Sequence, residues 1–229
     1  MKLAERLAVL AAHVPPGSIA ADIGTDHARL PVFLVENGIC PKVIASDLNP
    51  GPFQSAKGKV RERGLEDRID LRFGNGLAVL KPGEAGVVVV AGMGGNTIRD
   101  ILAASPEVLR GINRLVLQPM ADAGSLRTWL TANRWRIADE ELVEEDGRIY
   151  LVMVAEPGPE TTGDPFLLEL GPRLLEKKDP LLPVYLAGIL DKYERMLAGL
   201  SASGSGEARK KAREVELKIA RLREVQKCL

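Results

Sequence analysis

The stretch Ile19-Ala20-Ala21-Asp22-Ile23-Gly24-Thr25-Asp26-His27-Ala28 decides the fold, and it is read together with Val87-Val88-Val89-Val90-Ala91-Gly92-Met93-Gly94-Gly95. Each is a short apolar run that ends at a glycine and gives way to a helical pattern. The carboxyl ends of parallel strands in an open α/β sheet have this form, and ligands bind in the crevice above them. The first motif lacks the second glycine of G-x-G-x-x-G and carries Asp22 and Asp26 instead. Those carboxylates repel a pyrophosphate. They suit a cationic ligand, and S-adenosylmethionine, with its sulfonium and ammonium charges, meets that requirement.

Outward from these motifs, strands and helices alternate. Leu3, Leu7 and Leu10 predict a helix over 2–12, stopped by Pro15-Pro16-Gly17. Strands are expected at Ile19–Ile23, Val43–Ser46, Ile69–Phe73, Val87–Ala91 and Arg114–Leu117. Between and after them, helices are expected at Leu30–Asn37, Pro52–Arg63, Asn96–Ala103 and Ser125–Asn133. Four consecutive valines at 87–90 fit a strand buried on both faces. Two last strands, Trp135–Leu142 and Arg148–Ala155, flank the hairpin signal Glu145-Asp146-Gly147. The expected architecture is a mostly parallel α/β sheet of seven strands, one of them antiparallel. By analogy that is the Rossmann-like layout of class I methyltransferases.

After residue 157 the pattern changes, so a first domain over 1–157 and a helical second domain over 158–229 are expected. Leu182, Leu186, Ile189, Leu190, Tyr193, Met196 and Leu197 form one apolar stripe; Val215, Leu217, Ile219, Leu222 and Val225 form another. The small-residue turn at 199–206 between them predicts an antiparallel, coiled-coil-like pair of helices over 180–199 and 206–228.

The 229 residues carry no net charge, so a nucleic-acid footprint has to be local. No apolar run is long enough to span a membrane, and Met1 to Arg6 is amphipathic rather than secretory. Cys40 and Cys228 have neither metal-ligand spacing nor a disulfide framework, which points to a reduced cytoplasmic setting and no metal.

Several residues carry the expected chemistry. Gly24 allows the tight turn, with Asp22, Thr25, Asp26 and His27 around it; the plain alternative is a helix cap. Asp47 follows the second strand and fits a ribose diol, or else a turn acid opening Asp-Leu-Asn-Pro. Asn75 and Gly76, after the third strand, fit an adenine contact or an ordinary turn. Ala91, Gly92, Met93, Gly94 and Gly95 let backbone approach both cofactor and a flat base. The Asn/Asp-Pro-Pro-Tyr/Phe motif of many amino-methyltransferases is absent there. Gln118 adds an amide at the same rim. His13 reads as a surface or interhelical group, and Trp129 and Trp135 as packing residues.

From Glu207 to Leu229 there are eight Lys/Arg and four Glu. Arg209, Lys210, Lys211 and Arg213 come first. Such a run is a solvated helix face or a set of phosphate contacts.

Taken together, Ala21–Pro31, Gly51–Ala56, Gly74–Leu77, Ala91–Gly95, Leu117–Pro119 and Glu144–Gly147 resemble the bacterial TrmK family over about residues 1–156. Its members are S-adenosylmethionine-dependent tRNA (adenine-N1)-methyltransferases acting at position 22 of the D-arm. Thr25 stands where the family often has Ser. The resemblance implies the class I methyltransferase fold and S-adenosylmethionine held by Asp22, Gly24, Thr25, His27, Asp47, Asn75, Gly76, Ala91, Gly92, Met93 and Gly94. It implies Asp26 near the target base and a tRNA substrate. Gly95, Gln118 and the four tail cations are the expected substrate contacts, on a protein expected to be monomeric. Two other readings stand beside it: a methyltransferase of a small molecule or protein with a helical lid, and a non-catalytic RNA-binding module.

Overall fold

The computed structural model describes residues 3–203 and 205–229. The expected helix start at residue 2 and Gly204 of the expected turn lie outside the described residues. The chain forms two compact units, Met1–Glu169 and Leu170–Leu229.

The first unit runs α1 (Glu5–Ala12), β1 (Ala20–Ile23), α2 (Arg29–Glu36), β2 (Val43–Asp47), α3 (Pro50–Glu62), β3 (Ile69–Phe73), β4 (Val87–Met93), α4 (Gly95–Ala103), α5 (Pro106–Leu109), β5 (Arg114–Pro119), α6 (Ala123–Ala132), β6 (Trp135–Glu145), β7 (Arg148–Pro157) and α7 (Pro165–Leu170), which ends across the boundary. A short 3-10 turn, Gly76–Val79, follows β3. The strand order is β3-β2-β1-β4-β5-β7-β6. Every residue of β1 and β2 is buried, as are Val87–Val90 of β4, which is why these segments read as continuous apolar runs. The order reverses between β1 and β4, so the crevice of a doubly wound sheet opens there, at the carboxyl ends of the strands.

The mostly parallel sheet expected from sequence is corrected to a mixed one. β1 to β5 pair in parallel, whereas β7 pairs antiparallel with both β5 and β6. The turn between β6 and β7 is too short for a crossover. Asp146 and Gly147 both take positive φ, +52° and +71°, as a two-residue hairpin turn requires. β7 therefore returns against β6 and inserts beside β5.

A bulge between Ile137 and Asp139 shifts the face of β6. It turns Glu140 inward, toward α6, where the Glu140 carboxylate accepts a 2.6 Å bond from Arg127 Nε. Both side chains are fully buried. Arg127 Nη1 also donates to the carbonyls of Leu168 and Glu169, at 3.0 and 3.1 Å. These bonds tie residues beyond β7 into the first unit, which ends at Glu169 rather than at residue 157 as expected. Sequence periodicity misses this because α5 and α7 span one turn or little more.

The second unit holds α8 (Pro172–Lys177), α9 (Leu182–Ser203) and α10 (Gly206–Lys227). Ser205 caps α10, its Oγ accepting from Ala208 N at 3.1 Å. Lys218 sits over the Tyr193 ring, and Arg223 pairs with Glu194 at 2.8 Å. Val215, Ile219 and Leu222 are buried at helical spacing, but Leu217 is 72% exposed. Its place in the apolar stripe is corrected, since two residues along a helix turn a side chain to the other face. Met196 is likewise exposed.

Arg127→Ala leaves the Glu140 carboxylate buried without its guanidinium. Urea unfolding is expected to show a loss of about 3–5 kcal/mol, and Arg127→Met with Glu140→Leu to recover much of it.

Candidate cofactor and active site

A crevice of about 430 Å³ opens at the carboxyl ends of β1, β2 and β4. Asp22, Gly24, Asp26, Asp47, Ala91, Gly92 and Met93, all expected site residues, line it. So do Ala4, Arg6, Leu7, Arg29, Leu30, Met120, Glu145 and Tyr150, none of which sequence reasoning placed there. Only the Glu144–Gly147 motif gave a signal for Glu145. Arg6 and Tyr150 gave none, because α1 and the β6–β7 hairpin are remote in sequence from the strand-end glycines.

Asp22 and Asp47 are each 7% exposed and have no ion-pair partner among the described residues. Burial pushes the Asp22 carboxyl up to about 6; the Thr25 side chain opposes the shift and the Asp47 charge adds to it. Asp47 Oδ1 accepts from Asn49 N at 2.6 Å, so one oxygen also holds the turn into α3. Gly24 takes φ +78°, and its N–H, like that of Thr25, donates to Ser46 O at 2.8 Å. A Cβ on Gly24 would stand 2.2 Å from the Met93 methyl. The glycine is thus required by its left-handed backbone conformation, whereas the Met93 methyl is the end of a flexible side chain that can swing aside.

That β4 turn contains a bulge, with the register shifting between Ala91 and Met93. Gly92 N, displaced from the ladder, donates to Gln118 Oε1 at 3.0 Å. The same oxygen accepts from Arg6 Nη1 at 2.8 Å, and Arg6 N donates to Glu145 Oε2 at 2.9 Å. The Arg6 guanidinium lies over the Tyr150 ring, 5.2 Å from its centroid. Gln118, an expected substrate contact, is fully buried, and its amide fixes the strand-end backbone. Gly95, another, is buried too, its N–H donates to Ala121 O at 2.8 Å, and a Cβ would meet the Asp122 carbonyl oxygen at 2.6 Å. Its small size serves the approach of α4 to the loop after β5.

Other expected residues stand outside the lining. Thr25 is buried beneath the turn. Gly94 is the N-cap of α4. Asn75 and Gly76 follow β3, one strand beyond Asp47. His27 bonds Ser55 and approaches Asp26 Oδ1 at 3.1 Å. The Asp26 side chain is 78% exposed at the crevice mouth. His13 bridges α1 to Glu141 of β6 at 3.2 Å. Among the described residues, no cluster of metal-ligating side chains occurs and no helix is long and apolar enough to cross a membrane.

A seven-stranded sheet with an acid-lined crevice at its switch point defines a Rossmann-like methyltransferase. The family described as TrmK, tRNA (adenine(22)-N(1))-methyltransferase, matches residues 20–224, and the chain belongs to that family. The tRNA (adenine(22)-N(1))-methyltransferase of Bacillus subtilis (strain 168) is 46% identical over 158 residues, 69% of this chain and 66% of that protein. The alignment therefore spans just under two thirds of that relative. The crystal structure of the B. subtilis M1A22 tRNA methyltransferase TrmK superposes with a TM-score of 0.91 at 36% identity, covering 98% of this chain and 99% of that one. A Streptococcus pneumoniae protein solved in complex with S-adenosyl-L-methionine superposes with a TM-score of 0.84 at 31% identity, covering 98% of this chain and all of that one.

A folded-state carboxyl raised from 3.8 to about 6 destabilises the free protein whenever it is ionised. That cost is fully present above about pH 6 and fades as pH falls toward about 4. In urea unfolding, Asp22→Asn is expected to stabilise the ligand-free protein at pH 7, by at most about 3 kcal/mol, and much less at pH 4.

Proposed function

We propose that this protein transfers a methyl group from S-adenosylmethionine to N1 of adenosine 22 in tRNA, with the cofactor held at Asp22 and Asp47. One observation carries the reading: two buried carboxylates with no ion-pair partner among the described residues, at the ends of adjacent strands, in a crevice also lined by Gly24 and Gly92. Such a donor set fits a cationic nucleoside. Asp47 is placed for the ribose hydroxyls, and Asp22 for the positive charge of the methionine part. When bound, the cofactor supplies an electrophilic methyl group on a sulfonium.

Adenine N1 has its own lone pair and needs no general base to attack. The N1–CH3 bond forms as the S–CH3 bond breaks, and the ring stays positive until the exocyclic amine loses its proton. Asp26, at the crevice mouth, accepts a hydrogen bond from that amine and stabilises the growing charge. Positioning supplies most of the rate. A base that is stacked or paired in folded tRNA has to turn out to reach the crevice.

The helical unit grips RNA backbone in this reading. Arg209, Lys210, Lys211 and Arg213 are all exposed along the first turns of α10. The proposed domain roles are cofactor and base in the first unit and phosphate contacts in the second.

Calorimetry and single-turnover methylation of unmodified tRNA, digested to nucleosides, test the site. Asp47→Ala is expected to weaken cofactor binding by about 1–3 kcal/mol. Asp26→Asn is expected to bind cofactor almost normally and to lose most of its turnover; a rate within a few-fold of wild type would make Asp26 structural. For the tail, neutralising the four cations is expected to lower tRNA affinity and flatten its salt dependence, by about one unit of slope per lost contact, with cofactor affinity unchanged. Filter binding across a salt series measures this.

A further inference from the structure

A second cleft of about 430 Å³ lies away from the acidic crevice, and its lining includes Trp129, Trp135, Arg110, Arg134, Leu102 and Leu109. It is built from the carboxyl ends of α4 and α6, from α5, and from the start of β6 and the end of β7. β7 runs against β5, with Ala155 opposite Leu115, so these ends gather where the parallel strands begin. The cleft is thus on the opposite edge of the sheet from Asp22 and Asp47.

Its chemistry is the reverse of the crevice. No acid lines it, and the side chains of Arg110 and Arg134 are exposed and without partners among the described residues. Most other arginines of this unit are bound to carboxylates or carbonyls, including Arg6, Arg63, Arg68, Arg72, Arg114 and Arg136. Trp135 is buried, so the half-buried Trp129 offers the ring face, and with the two free guanidinium groups it matches a flat ring that carries an anion.

The backbone of Arg134 adds an independent observation. α2 and α3 are each followed, one residue past the cap, by a glycine at positive φ, Gly38 and Gly64. Arg134 fills the same position after α6, at φ +63°, with Gly158 N donating to its carbonyl at 2.8 Å. Glycine is the relaxed choice there, and a side chain strains the helix end. The chain keeps the arginine at that cost, on the wall of the cleft.

We infer that this cleft docks a single unpaired nucleotide of the RNA substrate, its base against the Trp129 indole and its phosphate between Arg110 and Arg134. The inference rests on tRNA being the substrate. A nucleotide within a bound RNA is favoured over a free one because exposed arginines contribute little each. Tethering supplies the effective concentration that a lone nucleotide lacks.

The chain's two tryptophans both line the cleft, so intrinsic indole fluorescence reports on it alone. Titration of the full chain with unmodified tRNA is expected to quench emission, and S-adenosylhomocysteine alone to leave it unchanged. Arg110→Ala with Arg134→Gly is expected to abolish the quenching and raise KM for tRNA about three- to ten-fold, with kcat at saturation and cofactor affinity unchanged. Arg134→Gly alone is expected to raise Tm by about 1–4 °C while weakening tRNA binding, an opposition that a purely structural arginine does not produce. Wild-type protein that methylates tRNA with unaltered emission, or a double variant with wild-type KM, overturns the cleft and leaves the proposed activity standing. Failure of the wild type to methylate or bind tRNA overturns that activity instead. Quenching by AMP at micromolar concentration assigns the cleft to a free nucleotide and overturns the RNA assignment.

Discussion

Asp22 and Asp47 lie at the carboxyl ends of neighbouring parallel strands, and the sheet register, with Asp22 opposite Ala45, sets Asp47 two residues further up. Neither has an ion-pair partner among the described residues, and both are largely removed from water. Burial, with the Asp47 charge nearby, holds the Asp22 carboxyl above the usual carboxylate range. Much of the surrounding structure bears on this pair. The Gly24 turn brings the backbone past it without a side chain, the Gly92 bulge opens the facing strand, and Gln118 satisfies the amide that the bulge displaces. The crevice stores an unfavourable arrangement of charge that a cationic ligand relieves.

The strand ends were legible because their signals are local. An apolar run, a glycine and an acid lie within ten residues, and the same physics that buries the run places the acid at its tip. The hairpin was legible for the same reason, since Asp146-Gly147 has few conformations open to it. Groups whose role depends on a distant neighbour were not legible. Gln118 and Gly95 look like ligand contacts in sequence because they follow strand ends, yet each faces Arg6, Gly92 or the Ala121–Asp122 backbone instead. Nothing local in the sequence pairs Arg127 with Glu140, which meet only because the β6 bulge turns Glu140 inward. Leu217 was counted into a stripe by composition, and helical geometry removed it.

The two units divide the electrostatics of a neutral chain. Acids concentrate at the crevice, and cations at α10 and the far edge of the sheet. Within the first unit, the crevice acids and the cleft arginines lie at opposite ends of the sheet, so an anion is favoured at one end and a cation at the other.

Arg6 bonds Gln118 and Glu145, partners 112 and 139 residues further along the chain. A ribosome has to deliver nearly the whole first unit before these bonds can form. Closing loops of that length brings an entropic barrier that the local βα units do not face. α1 is therefore among the last elements of this unit to complete its native contacts, and a chain that stops short of the β6–β7 hairpin has its parallel strands but no closed crevice.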